Sequence, residues 1–275
     1  MHKILNTMFS KMLSHAAHMS TEGVETLLEE PKAAIRKMAV PIFVALLVVQ
    51  FNNFVDNIWC SSLGVEAVSA VSLVSTLYFF FPSAGAGIGL GLNVTISNCI
   101  GAGDSKGASD RASQTFVLIA ILMTSMIPFL LFCMDPLIDL IGGTSIKGLC
   151  QEYLLPLFVL CPFLVLSNVM AGMLRGEGMA RESTIINVAV AATNLVLDPI
   201  FIFSLGMGVA GASWATMLSS VVAVAIGMWY YFSGRTYVKL RFRGIRFQRE
   251  CVGTSCTWGR PRYWKTTYTP WPTFF

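Results

Sequence analysis

Asp56 and Asp198 are the residues of this chain whose type and setting could do chemistry. Each lies inside a stretch that otherwise reads as a membrane-spanning helix. A charged side chain at the centre of such a helix costs about 2.5–3.5 kcal/mol on insertion scales, and residues that carry this cost mark ion or proton pathways. Two carboxyl groups at one depth can share a proton or jointly bind a cation. Their neighbours support that use. Asn52 and Asn53 precede Asp56 by four and three residues, spacings that put side chains on one helical face. Asn187, Asn194 and Asp198 follow one another at intervals of seven and four, close to multiples of the helical repeat. Pro199 comes directly after Asp198 and has no N–H, so the carbonyl of Leu195 is left without its helical partner. The competing reading makes each aspartate a hydrogen-bonded link between helices. In-membrane hydrogen bonds average only about 0.6 kcal/mol, too little to offset insertion of an ionised acid, and a neutral asparagine would serve better.

The elements that must position these residues follow from composition. Of 275 residues, 55% are hydrophobic and only 12% are charged. Soluble domains average about 25% charged, so the expected class is an all-α polytopic membrane protein. A spanning helix needs about 20 mainly apolar residues. Six segments meet that length: Met38–Cys60, Val68–Ile96, Thr115–Ile141, Tyr153–Leu174, Thr184–Leu205 and Val209–Phe232. Residues 1–37 read as an N-terminal cytoplasmic segment without a secretory signal, 38–232 as a six-helix lobe, and 233–249 as a basic cytoplasmic segment. Of the 19 lysines and arginines, all but Lys147 fall in the leading segment, the even-numbered loops or the stretch after the sixth span. The positive-inside rule then places both ends in the cytoplasm, here of a plasma-membrane protein. Odd-numbered spans run outward. Asp56 lies 19 residues after Lys37, and Asp198 lies 17 after Arg181. Both acids should therefore sit about 26–29 Å along their helices, in the outer half of the bilayer.

Other features read as structural. Asp135, Asp139 and Glu152 flank spans near the outer surface, and Asp104, Asp110, Glu177 and Glu182 read as cytoplasmic loop charges. The glycine-rich Gly85–Gly91 lacks the spacing of a dinucleotide loop and lies within a span, so it reads as close helix packing. Asn93-Val94-Thr95 matches a glycosylation sequon but is inside the same span. Cys60, Cys99, Cys133, Cys150 and Cys161 read as small buried hydrophobes. Cys251 and Cys256 have ligand-like proximity but lack two further ligands, so no metal other than a coupling ion is expected. The bases are topogenic, which argues against nucleic-acid binding. His2, His15 and His18 all precede the first span, and no nucleophile has a neighbouring base, which argues against an enzyme.

The ordered motifs resemble those of the multidrug and toxic compound extrusion (MATE) transporters, in particular their DinF-like prokaryotic branch. The matching stretches are Phe54-Val-Asp-Asn-Ile-Trp59 with Leu63-Gly64, Ile100-Gly-Ala-Gly-Asp104, Leu174-Arg-Gly-Glu-Gly178, Asn194-Leu-Val-Leu-Asp-Pro199 and Gly208-Val-Ala-Gly-Ala212. They cover residues 21–249 in family order. The resemblance implies antiport of organic cations or amphipathic drugs, driven by H⁺ or Na⁺ and needing no other cofactor. Its coupling cluster matches Asp56, Asn194 and Asp198, with Tyr153, Thr216 and Asn168 in the expected spans.

The resemblance also implies a second six-helix lobe, and the likeness stops near Arg249. From Glu250 to Phe275 there is no Ala, Leu, Ile or Met, while Trp258, Trp264, Trp271 and three prolines appear. The favoured expectation is a frameshifted or truncated N-lobe fragment, with an interfacial aromatic tail as the other reading of 250–275. A lone lobe would need a homodimer to supply the second bundle of alternating access. Two other functions compete: a flippase for lipid-linked oligosaccharides, and a non-transporting truncation product. A flippase would be expected to carry arginines for pyrophosphate, and no expected span has an interior Lys or Arg.

Overall fold

A computed structural model of the chain describes residues 22–28, 30–233 and 236–240. The described residues form helices and no strand: α1 (Glu22–Leu28), α2 (Pro31–Ser61), α3 (Val65–Gly101), α4 (Ser105–Phe132), α5 (Met134–Leu140), α6 (Lys147–Gly176), α7 (Ala180–Pro199) and α8 (Gly208–Phe232). A short 3₁₀ turn, Thr144–Ile146, precedes α6, and a π-helical turn, Ile200–Ser204, follows α7. Six helices are long and apolar enough to cross a membrane. The fold class expected from composition is thus the one observed. Residues 1–21, most of the basic segment and all of 250–275, including Cys251 and Cys256, lie outside the described residues.

The helices differ from the expected spans where the backbone has a reason to. Residues 31–37, expected in the N-terminal segment, are helical and open α2, with Pro31 in its first turn, where a missing N–H costs no intrahelical bond. The third expected span, Thr115–Ile141, is not one helix. It stops at Phe132, and α5 starts afresh at Met134. Pro136 has no N–H to offer the carbonyl of Phe132, four residues back, so the ladder breaks there. At its other end α4 begins earlier, because Asp104 caps it: the Asp104 carboxylate accepts from the Gly107 N–H at 2.8 Å.

The core centres on α6. In its most apolar stretch 72% of residues are buried, against 6% for α2, which lies at the edge of the bundle. Helix α6 packs chiefly against α3 and α8, while α2 packs chiefly against α7. A tie between the last two is the Thr184 hydroxyl, which donates to the Pro41 carbonyl at 2.8 Å. The α3–α6 seam uses the glycine-rich segment. A Cβ on Gly85 would stand 2.9 Å from the Val165 carbonyl oxygen, and one on Gly89 would stand 2.8 Å from that of Asn168. On the α6 side, Gly172 abuts the Gly89 backbone and Gly176 abuts Asn93. Glycines four apart on both helices let the backbones touch, while Gly87, between them, meets nothing.

Candidate functional site

The packing of α2 on α7 brings the two aspartates together. Their carboxyl groups come within hydrogen-bonding range of one another. Asp198 is 1% exposed and Asn194 is fully buried. Asn52 joins the helices: its Nδ2 donates to Asn194 Oδ1 at 2.8 Å and to Asp56 Oδ2 at 3.3 Å. Asn194 passes the chain on, its Nδ2 donating to Asp198 Oδ1 at 3.1 Å and to Thr216 Oγ1 at 3.3 Å. The Thr216 hydroxyl donates in turn to the Ala212 carbonyl at 3.0 Å within α8. Five side chains on three helices are thus linked donor to acceptor, using one oxygen of each acid.

The other oxygen of each acid is left over. Asp56 Oδ1 and Asp198 Oδ2 are buried and have no protein hydrogen-bond partner. Two facing carboxylates cannot satisfy each other, because neither has a donor. One added proton would turn one of them into a donor, and one bound cation would be shared by both. The backbone beside them is irregular. After Pro199 the Leu205 N–H reaches back five residues to the Ile200 carbonyl at 2.9 Å, which widens the turn. Such π turns recur at functional sites.

Of the six residues implied by the resemblance, Asp56, Asn194, Asp198 and Thr216 form this cluster. Tyr153 borders it: its carbonyl accepts from the Ser213 hydroxyl at 2.7 Å, and its phenol lies within electrostatic reach of both acids. Asn168 is not brought in. It lies 15 residues beyond Tyr153, about 22 Å along α6, where its Nδ2 donates to the Leu164 carbonyl at 2.9 Å. Asn52 belongs to the cluster although the resemblance does not carry it. Its spacing from Asp56 was the legible signal.

Glu177 corrects the reading of a solvated loop charge. It follows the end of α6 and is fully buried. Its Oε1 accepts from the Tyr231 hydroxyl at 3.0 Å, and its Oε2 accepts from the backbone N–H groups of Tyr237 at 2.7 Å and Val238 at 3.1 Å. Burial pushes its carboxyl up to about 7, against the pull of the Val238 N–H, the Tyr231 hydroxyl and the Tyr237 N–H. These partners lie 54 to 61 residues downstream, so no local pattern announces them.

The sequence model of the MatE family matches residues 41–200, a stretch that contains both aspartates. The chain belongs to this family. The FAD transporter of Shewanella oneidensis is 29% identical to it over 194 residues, 69% of this chain and 43% of that protein. The multidrug export protein MepA of Staphylococcus aureus is 26% identical over 203 residues, 71% of this chain and 44% of that protein. A MOP-superfamily transporter from Pyrococcus furiosus superposes with a TM-score of 0.81 at 35% identity, covering 86% of this chain and 53% of that one. A MATE transporter solved in the straight conformation gives 0.81 at 34%, covering 86% and 55%. The chain spans less than half the length of the curated relatives it matches. It is a multi-pass membrane protein with one MATE-type lobe, and its relatives are transporters rather than enzymes.

Proposed function

We propose that this lobe couples cation binding to export of organic cations or amphipathic drugs, with H⁺ or Na⁺ as the driving ion. The observation that carries this reading is the pair of buried Asp198 and half-buried Asp56, with one buried, partnerless oxygen on each acid and the others held by Asn52 and Asn194. A purely structural link would leave no acceptor idle, because buried unsatisfied groups cost about 1–3 kcal/mol each. An idle acceptor pair is what a site must offer an exchangeable ion. The chain sits in the plasma membrane with both ends cytoplasmic, following its lysine and arginine bias. Since its relatives are about twice as long, transport by this chain calls for a second bundle, which a homodimer would supply.

Reconstitution into proteoliposomes tests the reading. An inward H⁺ or Na⁺ gradient should drive ethidium efflux, and the double variant Asp56→Asn, Asp198→Asn should abolish the drive. Ethidium efflux that survives this variant sinks the coupling role. The similarity to an FAD transporter favours a second substrate reading, a flavin dinucleotide. Gradient-driven movement of FAD without movement of ethidium would select it. If neither moves, the single lobe is a non-transporting product.

A further inference from the structure

Three buried side-chain polar atoms have no protein hydrogen-bond partner among the described residues: Asp56 Oδ1, Asp198 Oδ2 and Trp59 Nε1. The coupling role uses the first two and leaves the third idle. Trp59 lies three residues after Asp56 on α2, a spacing that stacks the two side chains on one face. Its ring meets Phe203 edge-on, with centroids 5.7 Å apart and planes at 72°. Phe203 belongs to the π turn that follows Asp198. The Trp59–Phe203 contact therefore repeats, about one turn farther along both segments, the approach of Asp56 to Asp198. Buried Cys60, Ile202 and Ala212 close the space beside Trp59, and the Cys60 thiol lies within electrostatic reach of both carboxyls. The Trp59 ring thus lies where α2, the π turn and α8 meet, on the helical face it shares with Asp56.

Two acceptors and one donor are the complement of one water molecule. Such a water accepts from the indole N–H and donates to both carboxylate oxygens, making three hydrogen bonds, about the usual number for a buried water. We propose that Trp59 is a further residue of this site, its indole N–H anchoring a water that bridges Asp56 Oδ1 and Asp198 Oδ2. Trp59 is then a positioning residue. It carries no proton itself and holds the water next to which the pair gains or loses one. When a proton joins the pair, one carboxyl becomes a donor and the water must turn, so the indole N–H senses the change. This inference rests on the coupling role of the acid pair.

The test uses the full chain, labelled with ¹⁵N-tryptophan and reconstituted in lipid nanodiscs. The Trp59 indole resonance is assigned by its loss in Trp59→Phe, with Trp214 and Trp229 as internal controls. A second sample carries 3-benzothienylalanine at position 59, which keeps the bicyclic ring and its contact with Phe203 but has no N–H. The expected result is a cross-peak between the Trp59 indole hydrogen and water, and a shift with pH that disappears in Asp56→Asn, Asp198→Asn. Benzothienylalanine should change the apparent proton affinity of the reconstituted protein by roughly threefold to tenfold, the effect of one hydrogen bond. No water cross-peak, or a pH-invariant resonance while the aspartate variants still alter ion dependence, overturns the Trp59 role alone. Ion dependence of transport that ignores the aspartate variants overturns the coupling role, and this inference with it.

Discussion

Glu177 and the Asp56–Asp198 pair both hold buried carboxyl oxygens, and they are built in opposite ways. Tyr153, beside the pair, and Glu177 are separated by 24 residues of α6 and its cap, about 36 Å of helical rise. At Glu177 both oxygens are used: three donors meet one carboxylate, two of them backbone N–H groups from the segment after α8. At the pair, two carboxyls face one another and one oxygen on each has no partner. The difference teaches what a buried acid is for. A fully satisfied acid fixes chain to chain, and here it fastens residues 237–238 to the end of α6. An unsatisfied pair leaves a place for something to arrive.

The sharpest way to break this comparison is to neutralise both groups and read function and stability separately. Asp56→Asn, Asp198→Asn should lower cation-driven efflux at least about 100-fold, equivalent to roughly 2.7 kcal/mol. The same change should leave thermal stability equal or higher, because it removes two idle buried acceptors. A loss of stability as large as the loss of transport would make the pair structural. Glu177→Ala should do the reverse. It strands three donors, and a cost of about 3 kcal/mol or more is expected. Hydrogen exchange at the Tyr237 and Val238 amides should accelerate, while ion binding at the pair stays intact.

The pH dependence of Glu177 sharpens the contrast further. Its folded-state value of about 7 lies above the ordinary 4.5, so the folded chain holds this proton more tightly than the unfolded one. The stability it contributes is complete below about pH 4.5 and is lost as pH rises through about 7, with a slope of up to about 1.4 kcal/mol per pH unit. Thermal midpoints across that window should fall with pH in the native chain and fall less in Glu177→Gln. The smallest effect belongs to Thr216→Val. It removes one 3.3 Å acceptor from Asn194 Nδ2, and a change below about 1 kcal/mol in stability is expected, with a modest weakening of ion affinity in the same proteoliposomes.

Much of the pair's setting was legible beforehand because it is written in helical spacing. Asn52 and Asp56, and Asn194 and Asp198, sit four apart on their own helices, and four residues close one turn whatever the rest of the chain does. The glycine seam was legible as close packing, although only the contact surfaces show that Gly85 and Gly89 meet α6 while Gly87 does not. The break at Cys133 had a local cause in Pro136, which the apolar run through Ile141 concealed. Glu177 was misread because a charge between two glycines beyond a span looks like a loop in water. Its partners arrive only when the chain turns back after α8. Trp59 is legible in the sequence only as the end of the Phe54–Trp59 motif, because an indole in a span is ordinarily an apolar surface, and only packing leaves its buried N–H without a protein acceptor.

The sequence by itself determined the membrane class, the six apolar helices, the two costly acids and the asparagines that accompany them. These depend on composition and on a repeat of 3.6 residues, which are local properties. Tertiary structure alone decided that Asn52 bridges to Asn194 across 142 residues of chain, that Asn168 stands apart, and that Glu177 is a clasp. It also decided which oxygens remain idle. A hydrogen bond needs a partner within about 3 Å, and proximity between distant residues is set by how helices cross, which no short stretch of sequence contains.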